Sequence, residues 1–218
     1  MHLVSALLGT ISIWIILLPA LLGLLIVNRL DRDSRLILLA VLAGCAPQVL
    51  RPFIHGTALL NLLYNIYTPI EFLIYWMLFS SKIISPQRRT FLHVLALGFL
   101  LYSIYLVFSN GLGTRFLNEW VIASNIIQVL ALCLCLLDYY FHDDSVINLS
   151  QPFFWFLAGI TCYAPCTVIF FSLWFYIQNS APENQIILKN IHHVFNILLY
   201  ISFTIGMLKN LSPFNVRA

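Results

Sequence analysis

Residues 58–81 have the sequence ALLNLLYNIYTPIEFLIYWMLFSS, an apolar stretch with a single charged residue, Glu71. About 20 such residues suffice to cross a bilayer as a helix. On that helix, polar side chains recur every three or four residues and share one face: Asn61, Tyr64, Asn65, Thr68, Glu71 and Tyr75. Because a polar face is too costly to expose to lipid, we expect it to face a protein interior or a wet cavity, with the other helices as walls.

The composition of the whole chain indicates a membrane protein. Hydrophobic residues make up 61% of the 218 residues and charged residues 9%, and the mean hydropathy is +0.93. A soluble domain carries about 25% charged residues. The net charge of +3 comes from basic residues in short turns between apolar stretches, so we expect membrane lipid, and not nucleic acid, as a partner. The five cysteines lie inside apolar stretches, which predicts no disulfide framework, and no motif predicts a cofactor.

The chain divides into seven predicted transmembrane helices separated by short turns. Pro52 and Gly56 favour a tight reversal between the second and third, which are otherwise hard to separate. We therefore predict an all-α polytopic membrane protein, a single seven-helix domain over residues 1–218. The predicted spans cover approximately residues 4–28, 36–53, 58–81, 89–109, 118–140, 152–177 and 185–209.

The distribution of basic residues predicts the orientation of the bundle. One side of the predicted membrane carries Arg29, Arg32, Arg35, Lys82, Arg88, Arg89, Lys209 and Arg217, and the other carries Arg51, Arg115 and Lys189. Because the side richer in lysine and arginine normally faces the cytoplasm, we expect the N-terminus outside and the C-terminus in the cytoplasm. The acidic loop HDDSVINLS at residues 142–150 is then cytoplasmic without support from this rule.

With this orientation, four helices place polar residues in the outer half of the bundle, whereas the inner half is mostly Leu, Ile and Phe. This pattern predicts a cavity that is open to, or nearest, the outside. The predicted ligand-binding residues are Gln48, Arg51, Asn61, Asn65, Glu71, Asn125, Gln128, His192 and Asn196.

Two of these residues have more than one possible role. A charged carboxyl at mid-membrane costs about 2.5–3.5 kcal/mol on insertion scales. Glu71 is therefore either neutral and hydrogen-bonded, paired with Arg51 or a histidine, bound to a cationic group, or a carrier of protons. Arg51 lies near a helix end, so its side chain either lines the cavity or extends to lipid headgroups.

No catalytic or metal-binding residues are predicted. His192 and His193 are adjacent, so their side chains diverge by about 100° on a helix and do not converge on one ion. The chain has no HxxxH sequence, which intramembrane metal hydrolases use to place two ligands on one helix face. No serine lies in a sharp glycine-flanked turn of the kind that activates a nucleophile.

Three stretches carry a resemblance to other proteins: NIYTPIEFLIY at 65–75, FFWFLAGITCYAPCTVIFF at 153–171, and NIHHVFNILLYISFTIGML at 190–208. Together they resemble small, loop-poor seven-helix proteins of unassigned function from bacterial genomes, a group associated with signalling systems. The resemblance implies a bacterial inner membrane location and a receptor-like role. It implies no particular ligand, partner or catalytic residue.

Three functions remain open from the sequence. The leading hypothesis is a membrane sensor or ligand-binding protein with a polar pocket in its outer half, which binds an unknown small molecule and passes a signal to a separate protein. The first alternative is a small-solute transporter with Glu71 as the protonatable coupling residue. The second alternative is an integral-membrane enzyme that modifies lipid, although a non-enzymatic role is favoured.

Overall fold

The computed structural model describes residues 2–142, 149–179 and 181–211, and the regular elements within them are all helical. Arg217 and most of the acidic loop at 142–150 lie outside the described residues. The α-helices are α1 (His2–Trp14), α2 (Leu17–Leu25), α3 (Arg32–Leu50), α4 (Thr57–Ser80), α5 (Pro86–Asn110), α6 (Asn118–His142), α7 (Pro152–Ile177) and α8 (Pro182–Lys209).

The predicted seven-helix architecture is confirmed. The described residues contain 7 helical spans that are long and apolar enough to cross a membrane. The second and third spans are separate, because a short 3-10 helix at Arg51–Phe53 follows α3 and Gly56 precedes α4. Apolar side chains cover much of the outer surface of these spans, as expected for contact with lipid.

The first span differs from the prediction because it is broken rather than continuous. Between α1 and α2, the amide of Leu18 bonds to the carbonyl of Ile15 at 3.0 Å, a tighter turn than an α-helix makes. Pro19 explains the break. A proline has no amide hydrogen to bond four residues back, and its ring crowds the carbonyl at that position, here Ile15.

Several helices begin earlier than hydropathy alone predicts. α3 begins at Arg32, because the side chain of Asp31 accepts a hydrogen bond from the amide of Ser34 at 2.8 Å and caps the helix. α5 and α8 begin with Pro86 and Pro182, in the first turn, where a proline is well tolerated. Polar residues that resemble loops by composition therefore form the first turns.

Six of the spans close into a ring, and α5 lies outside it. Around the ring, α1 and α2 together neighbour α8, α8 neighbours α7, α7 neighbours α6, α6 neighbours α4, α4 neighbours α3, and α3 neighbours α2. α5 packs against α4 and α6 from the outside. Gly159 and Gly206 allow α7 and α8 to approach closely, because a Cβ atom on Gly206 would lie 2.4 Å from the ring of Phe156.

One end of the ring, which we call the closed end, is solidly packed and held by polar contacts. The side chains of Phe79, Phe156 and Phe203 fill its interior and are at most 1% exposed. Lys82 forms an ion pair with Asp33 at 2.5 Å, which links the loop after α4 to α3. The opposite end, where α3 and α7 finish and α4, α6 and α8 begin, is called the open end.

Two further contacts hold the closed end together. The buried carboxylate of Asp138 pairs with Arg88 and accepts hydrogen bonds from the amides of Ile84 and Ser85 at 2.6 and 2.9 Å. These contacts fix the turn between α4 and α5 onto α6. The side chain of Asn210, just after α8, bonds to the N-terminus of α3. Its oxygen accepts a hydrogen bond from the amide of Asp31 at 3.0 Å, and its nitrogen donates one to the hydroxyl of Ser34 at 2.8 Å.

Candidate functional site

A cavity of about 470 Å³ lies inside the ring and opens at the open end. Its lining comes from α1, α3, α4, α6, α7 and α8 and from the segment before α6, but includes no residue of α5. Arg51 and Lys189, both exposed, stand at the mouth. The cavity runs from there to a group of tyrosines around Glu71. The volume lies within the range of about 300–1,000 Å³ found for small-molecule sites.

The structure brings most of the predicted ligand-binding residues to this cavity. Those that line it are Gln48, Arg51, Asn61, Glu71, Asn125, His192 and Asn196. Asn65 and Gln128 do not line it. That these side chains bind a ligand stays a prediction, and their shared position is what the structure contributes to it.

Asn65 holds a loop instead of facing the cavity. Its amide nitrogen donates hydrogen bonds to the carbonyls of Leu112 and Arg115 at 2.7 and 2.8 Å, and its oxygen accepts one from the amide of Leu117 at 3.1 Å. The side chain is 1% exposed. Because all of these contacts are to backbone groups, Asn65 fixes the segment between α5 and α6 against α4.

Gln128 is buried on α6 and is 3% exposed. Its side-chain nitrogen has no hydrogen-bond partner among the described residues. It lies one turn below Asn125, which does line the cavity. The 3-residue spacing on one helix predicts a shared face, but the rotation of α6 places Gln128 outside the lining.

The base of the cavity is a carboxyl surrounded by phenols. The hydroxyl of Tyr67 donates a hydrogen bond to Glu71 at 2.5 Å, one helical turn away. Tyr75 contacts the same carboxyl from the next turn. Tyr163 on α7 and Tyr200 on α8 lie within electrostatic reach of it. Four tyrosines from three helices therefore surround Glu71.

Gln48 connects α3 to this group. Its side-chain nitrogen lies 3.0 Å from the hydroxyl of Tyr200. Its oxygen is buried and has no partner among the described residues. Asn125 on α6 has the same property, because its nitrogen donates to the carbonyl of Val121 at 2.9 Å and its buried oxygen has no partner there either. Two acceptor oxygens on the cavity wall therefore have no donor within the described part of the chain.

One side of the cavity is a polar contact between α1 and α8. The amide nitrogen of Asn196 donates to the carbonyl and the hydroxyl of Ser12 at 3.1 and 2.9 Å. The ring of His193 lies 3.1 Å from the same hydroxyl. Ser12 is 3% exposed and sits close to the break in the first span. These hydrogen bonds hold α1 against α8.

The wall near the mouth is aromatic. The ring of His192 stacks on Phe170 at a centroid distance of 4.4 Å, and Phe170 stacks in turn on Trp174 at 5.7 Å. The ammonium of Lys189 lies 4.8 Å from the centre of the Trp174 ring, a favourable cation–π arrangement. His192 and His193 point to different neighbours, Phe170 and Ser12, as their adjacency predicts.

Charge is separated along the cavity. Glu71 is at the base, and the cationic residues Arg51 and Lys189 are at the mouth. Arg51 lies beside Tyr64, which precedes Glu71 by seven residues on the same helix. At about 1.5 Å of rise per residue, the two levels are roughly 10 Å apart. An ion pair between Glu71 and Arg51 is therefore not formed.

Some lining residues were not predicted from the sequence. Tyr67 lies four residues before Glu71, so the spacing of side chains on one helix face contained a signal for it. Tyr163 and Phe170 lie in an apolar helix with no polar pattern, and Ser12 lies in the least polar span. Their positions in the cavity depend on which helices pack against each other, and the local spacing of residues gives no information about that packing.

The described residues contain no group of three or more His, Cys, Asp or Glu side chains placed to hold a metal ion. The hydroxyl, amide and carboxyl groups of the cavity can donate and accept hydrogen bonds, and its rings can enclose an apolar or cationic group. Comparison of the chain with protein-family models, with curated proteins and with solved structures finds no match in any of the three.

Proposed function

We propose that the chain is an integral membrane ligand-binding protein of the sensor type, and that its ligand is a small molecule held in the cavity. The observation that carries this proposal is the cavity itself. It is about 470 Å³ in volume, opens at one end, and combines aromatic walls with a few polar groups that lack partners. Ligand sites typically have this composition.

We further propose that the open end faces the outside of the cell, and that the membrane is a bacterial inner membrane. The basis for the orientation is the excess of lysine and arginine at the closed end. The basis for the membrane is the resemblance of three stretches to bacterial seven-helix proteins. In this orientation, a ligand reaches the cavity from outside without crossing the bilayer.

The signal would pass to a separate protein by helix movement. α3, α4 and α7 all line the cavity, and each contains an internal proline: Pro47, Pro69 and Pro165. A proline removes one backbone hydrogen bond and weakens the helix locally, so these helices can bend near the level of the cavity. A ligand that contacts them more favourably in one bent form would shift the population toward that form.

A cavity-filling substitution tests this function. Val121 lines the cavity, and Ile126 on the same helix is exposed on the outer surface. The purified chain would be screened by thermal unfolding in detergent against amines, amino acids and carboxylic acids. We expect saturable stabilisation by at least one compound, its loss in Val121→Trp, and its retention in Ile126→Trp. Equal stabilisation of both variants would place the binding site elsewhere and refute the proposal.

A transporter is the second candidate, supported by a specific observation. The cavity is open at one end while ion pairs and packed phenylalanines block the other, as in one state of an alternating-access carrier. Glu71 at the base would be the coupling residue. In proteoliposomes, a transporter should accumulate solute in response to a proton gradient and lose this response in Glu71→Gln. Binding of the solute with no movement of it across the membrane would exclude transport.

A further inference from the structure

We infer that the base of the cavity binds the ammonium group of a small organic amine that carries N–H bonds, with the carboxylate of Glu71 as its counter-ion. This inference rests on the proposed function, because it names the chemistry of the ligand in the same cavity. Three independent features of the base support it: a carboxyl group that has no cationic partner among the described residues, amide oxygens without donors there, and several tyrosine rings.

The first feature is the charge. The ion pairs formed by the described residues are Lys82 with Asp33, Arg88 with Asp138, and Arg115 with Glu119, and none includes Glu71. The cations of the cavity stand at the mouth, and Arg51 is roughly 10 Å above Glu71 by helical rise. A carboxylate away from water is costly unless it is paired, and hydrogen bonds from phenols supply part of that pairing. A bound cation would supply the rest.

The second feature is the set of free acceptors. The nitrogen of Asn125 donates to the carbonyl of Val121, which can only accept. The orientation of the amide is therefore fixed. The Asn125 residue is 3% exposed, and its oxygen has no donor among the described residues. The oxygen of Gln48 also has no donor among the described residues. The nitrogen of Gln48 bonds to the hydroxyl of Tyr200, which can donate or accept, so the orientation of this amide is not fixed. A complementary ligand must bring donors.

These acceptors distinguish between kinds of cation. A primary ammonium has three N–H donors, as the lysine side chain does, which is enough for Glu71 and for the amide oxygens. A quaternary ammonium has no donor and would leave the oxygen of Asn125 unsatisfied, at a cost of about 1–3 kcal/mol. The base therefore favours a protonated primary or secondary amine.

The third feature is aromatic. Tyr67, Tyr163 and Tyr200 line the base around Glu71, and the face of a tyrosine ring attracts a cation. Above them, the rings of His192, Phe170 and Trp174 form a stack in the cavity wall. A wall of this kind accommodates an apolar or aromatic body attached to the amine. The ligand would then lie along the cavity, with its ammonium group deep and its body toward the mouth.

An anionic ligand is the competing possibility, because Arg51 and Lys189 stand at the mouth. Lys189 already packs on Trp174, and Arg51 lies beside Tyr64. An anion there would sit near the exposed rim and leave the acceptors at the base unfilled. Of the cavity-lining side chains, Gln48 and Asn125 each have an amide oxygen without a donor among the described residues, and these oxygens favour a donor over an anion.

Matched probes separate these possibilities. The full-length chain in detergent would be heated with 2-phenylethylammonium, its N,N,N-trimethyl derivative, 2-phenylethanol or 3-phenylpropionate, which share one aromatic body and differ in charge and donors. We expect 2-phenylethylammonium to raise the unfolding temperature in a saturable way. The trimethyl derivative should bind more weakly, and the alcohol and the carboxylate should have little effect.

Variants locate the site. Glu71→Gln removes the charge and should weaken binding of 2-phenylethylammonium by about ten- to a hundredfold, the usual range for a hydrogen bond to a charged group. Asn125→Leu removes one acceptor and should weaken it less, and it serves as a second test if Glu71→Gln does not fold. Glu119→Gln is the matched control, because Glu119 is an exposed carboxylate paired with Arg115, and it should leave binding unchanged.

Other outcomes would overturn the inference in distinguishable ways. Stabilisation by 3-phenylpropionate that is lost in Arg51→Gln and in Val121→Trp would show that the cavity binds ligands but takes an anion at its mouth. Stabilisation by the amine that is equal in the wild type and in both Glu71→Gln and Asn125→Leu would place the amine elsewhere. No saturable effect of the amine would refute the ammonium site, while the wider screen described above decides the proposed function separately.

Discussion

The closed end of the bundle and the cavity differ in whether some of their buried polar atoms have hydrogen-bond partners. At the closed end, Asp138 is fully engaged by Arg88 and by two backbone amides, and Asn210 joins α8 to α3. In the cavity, the oxygens of Gln48 and Asn125 are buried and have no donor among the described residues. Buried polar groups normally have partners. The polar contacts of the closed end stabilise the fold, whereas the two oxygens without donors support the proposed ligand site in the cavity.

The largest expected effect is at the closed end. Asp138→Ala removes a carboxylate whose side chain is 1% exposed and leaves two amides and Arg88 without this partner. We expect a loss of about 3 kcal/mol in the free energy of unfolding, at the lower end of the range for a broken buried pair because Arg88 is partly exposed. Reversible unfolding in mixed detergent micelles measures this change.

The matched control for Asp138→Ala is Glu119→Ala at the open end, where the pair with Arg115 is nearly half exposed on both sides. A surface pair of this kind contributes less than about 1 kcal/mol. Similar losses in both variants would mean that the two ends do not differ in their dependence on ionic contacts.

The second effect concerns the two predicted ligand-binding residues that do not line the cavity. Asn65→Leu leaves the amide of Leu117 and the carbonyls of Leu112 and Arg115 without their partner. We expect a destabilisation of about 2 kcal/mol, since each buried group left unsatisfied is costly. Thermal unfolding of the purified variant in detergent gives the result.

Gln128→Leu provides the comparison for Asn65→Leu, because Gln128 is equally buried but its nitrogen has no partner among the described residues. It should be neutral or slightly stabilising, as the substitution removes an unsatisfied donor. If Gln128→Leu is as destabilising as Asn65→Leu, Gln128 makes a polar contact through a water or a ligand.

A third effect, of moderate size, concerns the ion pair between Lys82 and Asp33, whose side chains are 29% and 11% exposed. In a double-mutant cycle with Lys82→Met and Asp33→Asn, we expect a coupling energy of about 1 kcal/mol, at the upper limit for partly exposed pairs. A coupling near zero would assign the strength of the closed end to Asp138 and to apolar packing.

The smallest expected effect on stability comes from the base of the cavity. Glu71→Gln keeps a hydrogen-bond acceptor for Tyr67 and replaces a carboxyl group that lacks a cationic partner among the described residues. We expect the free energy of unfolding in the absence of ligand to stay within about 1 kcal/mol of the wild type or to rise. A loss as large as that of Asp138→Ala would show that Glu71 is a structural residue, and the contrast between the two ends would fail.

The number of spans and their helical structure could be predicted because length and apolarity are local properties of the sequence. Pro19 is a local signal for the break in the first span, since a proline inside an apolar span predicts a break. The capping of α3 by Asp31 is a second such case, because an aspartate before a helix is a common start signal.

The partners of the polar residues could not be predicted in the same way. Asn65 and Glu71 share a helix face by spacing, yet one bonds to the loop at Leu112 and the other faces the cavity. The difference depends on the rotation of α4 against α6 and on the path of the loop after α5. Tyr163 and Ser12 join the site for the same reason, through contacts between helices that are far apart in the chain.

The position of α5 has a mechanical consequence. This helix adds no residue to the cavity, but it packs against both α4 and α6, two helices that do line it. If a guest spreads or draws together α4 and α6, the groove changes width and α5 must slide or tilt in the surrounding lipid. Binding of a ligand in the cavity would thus change the position of the lipid-facing side of α5.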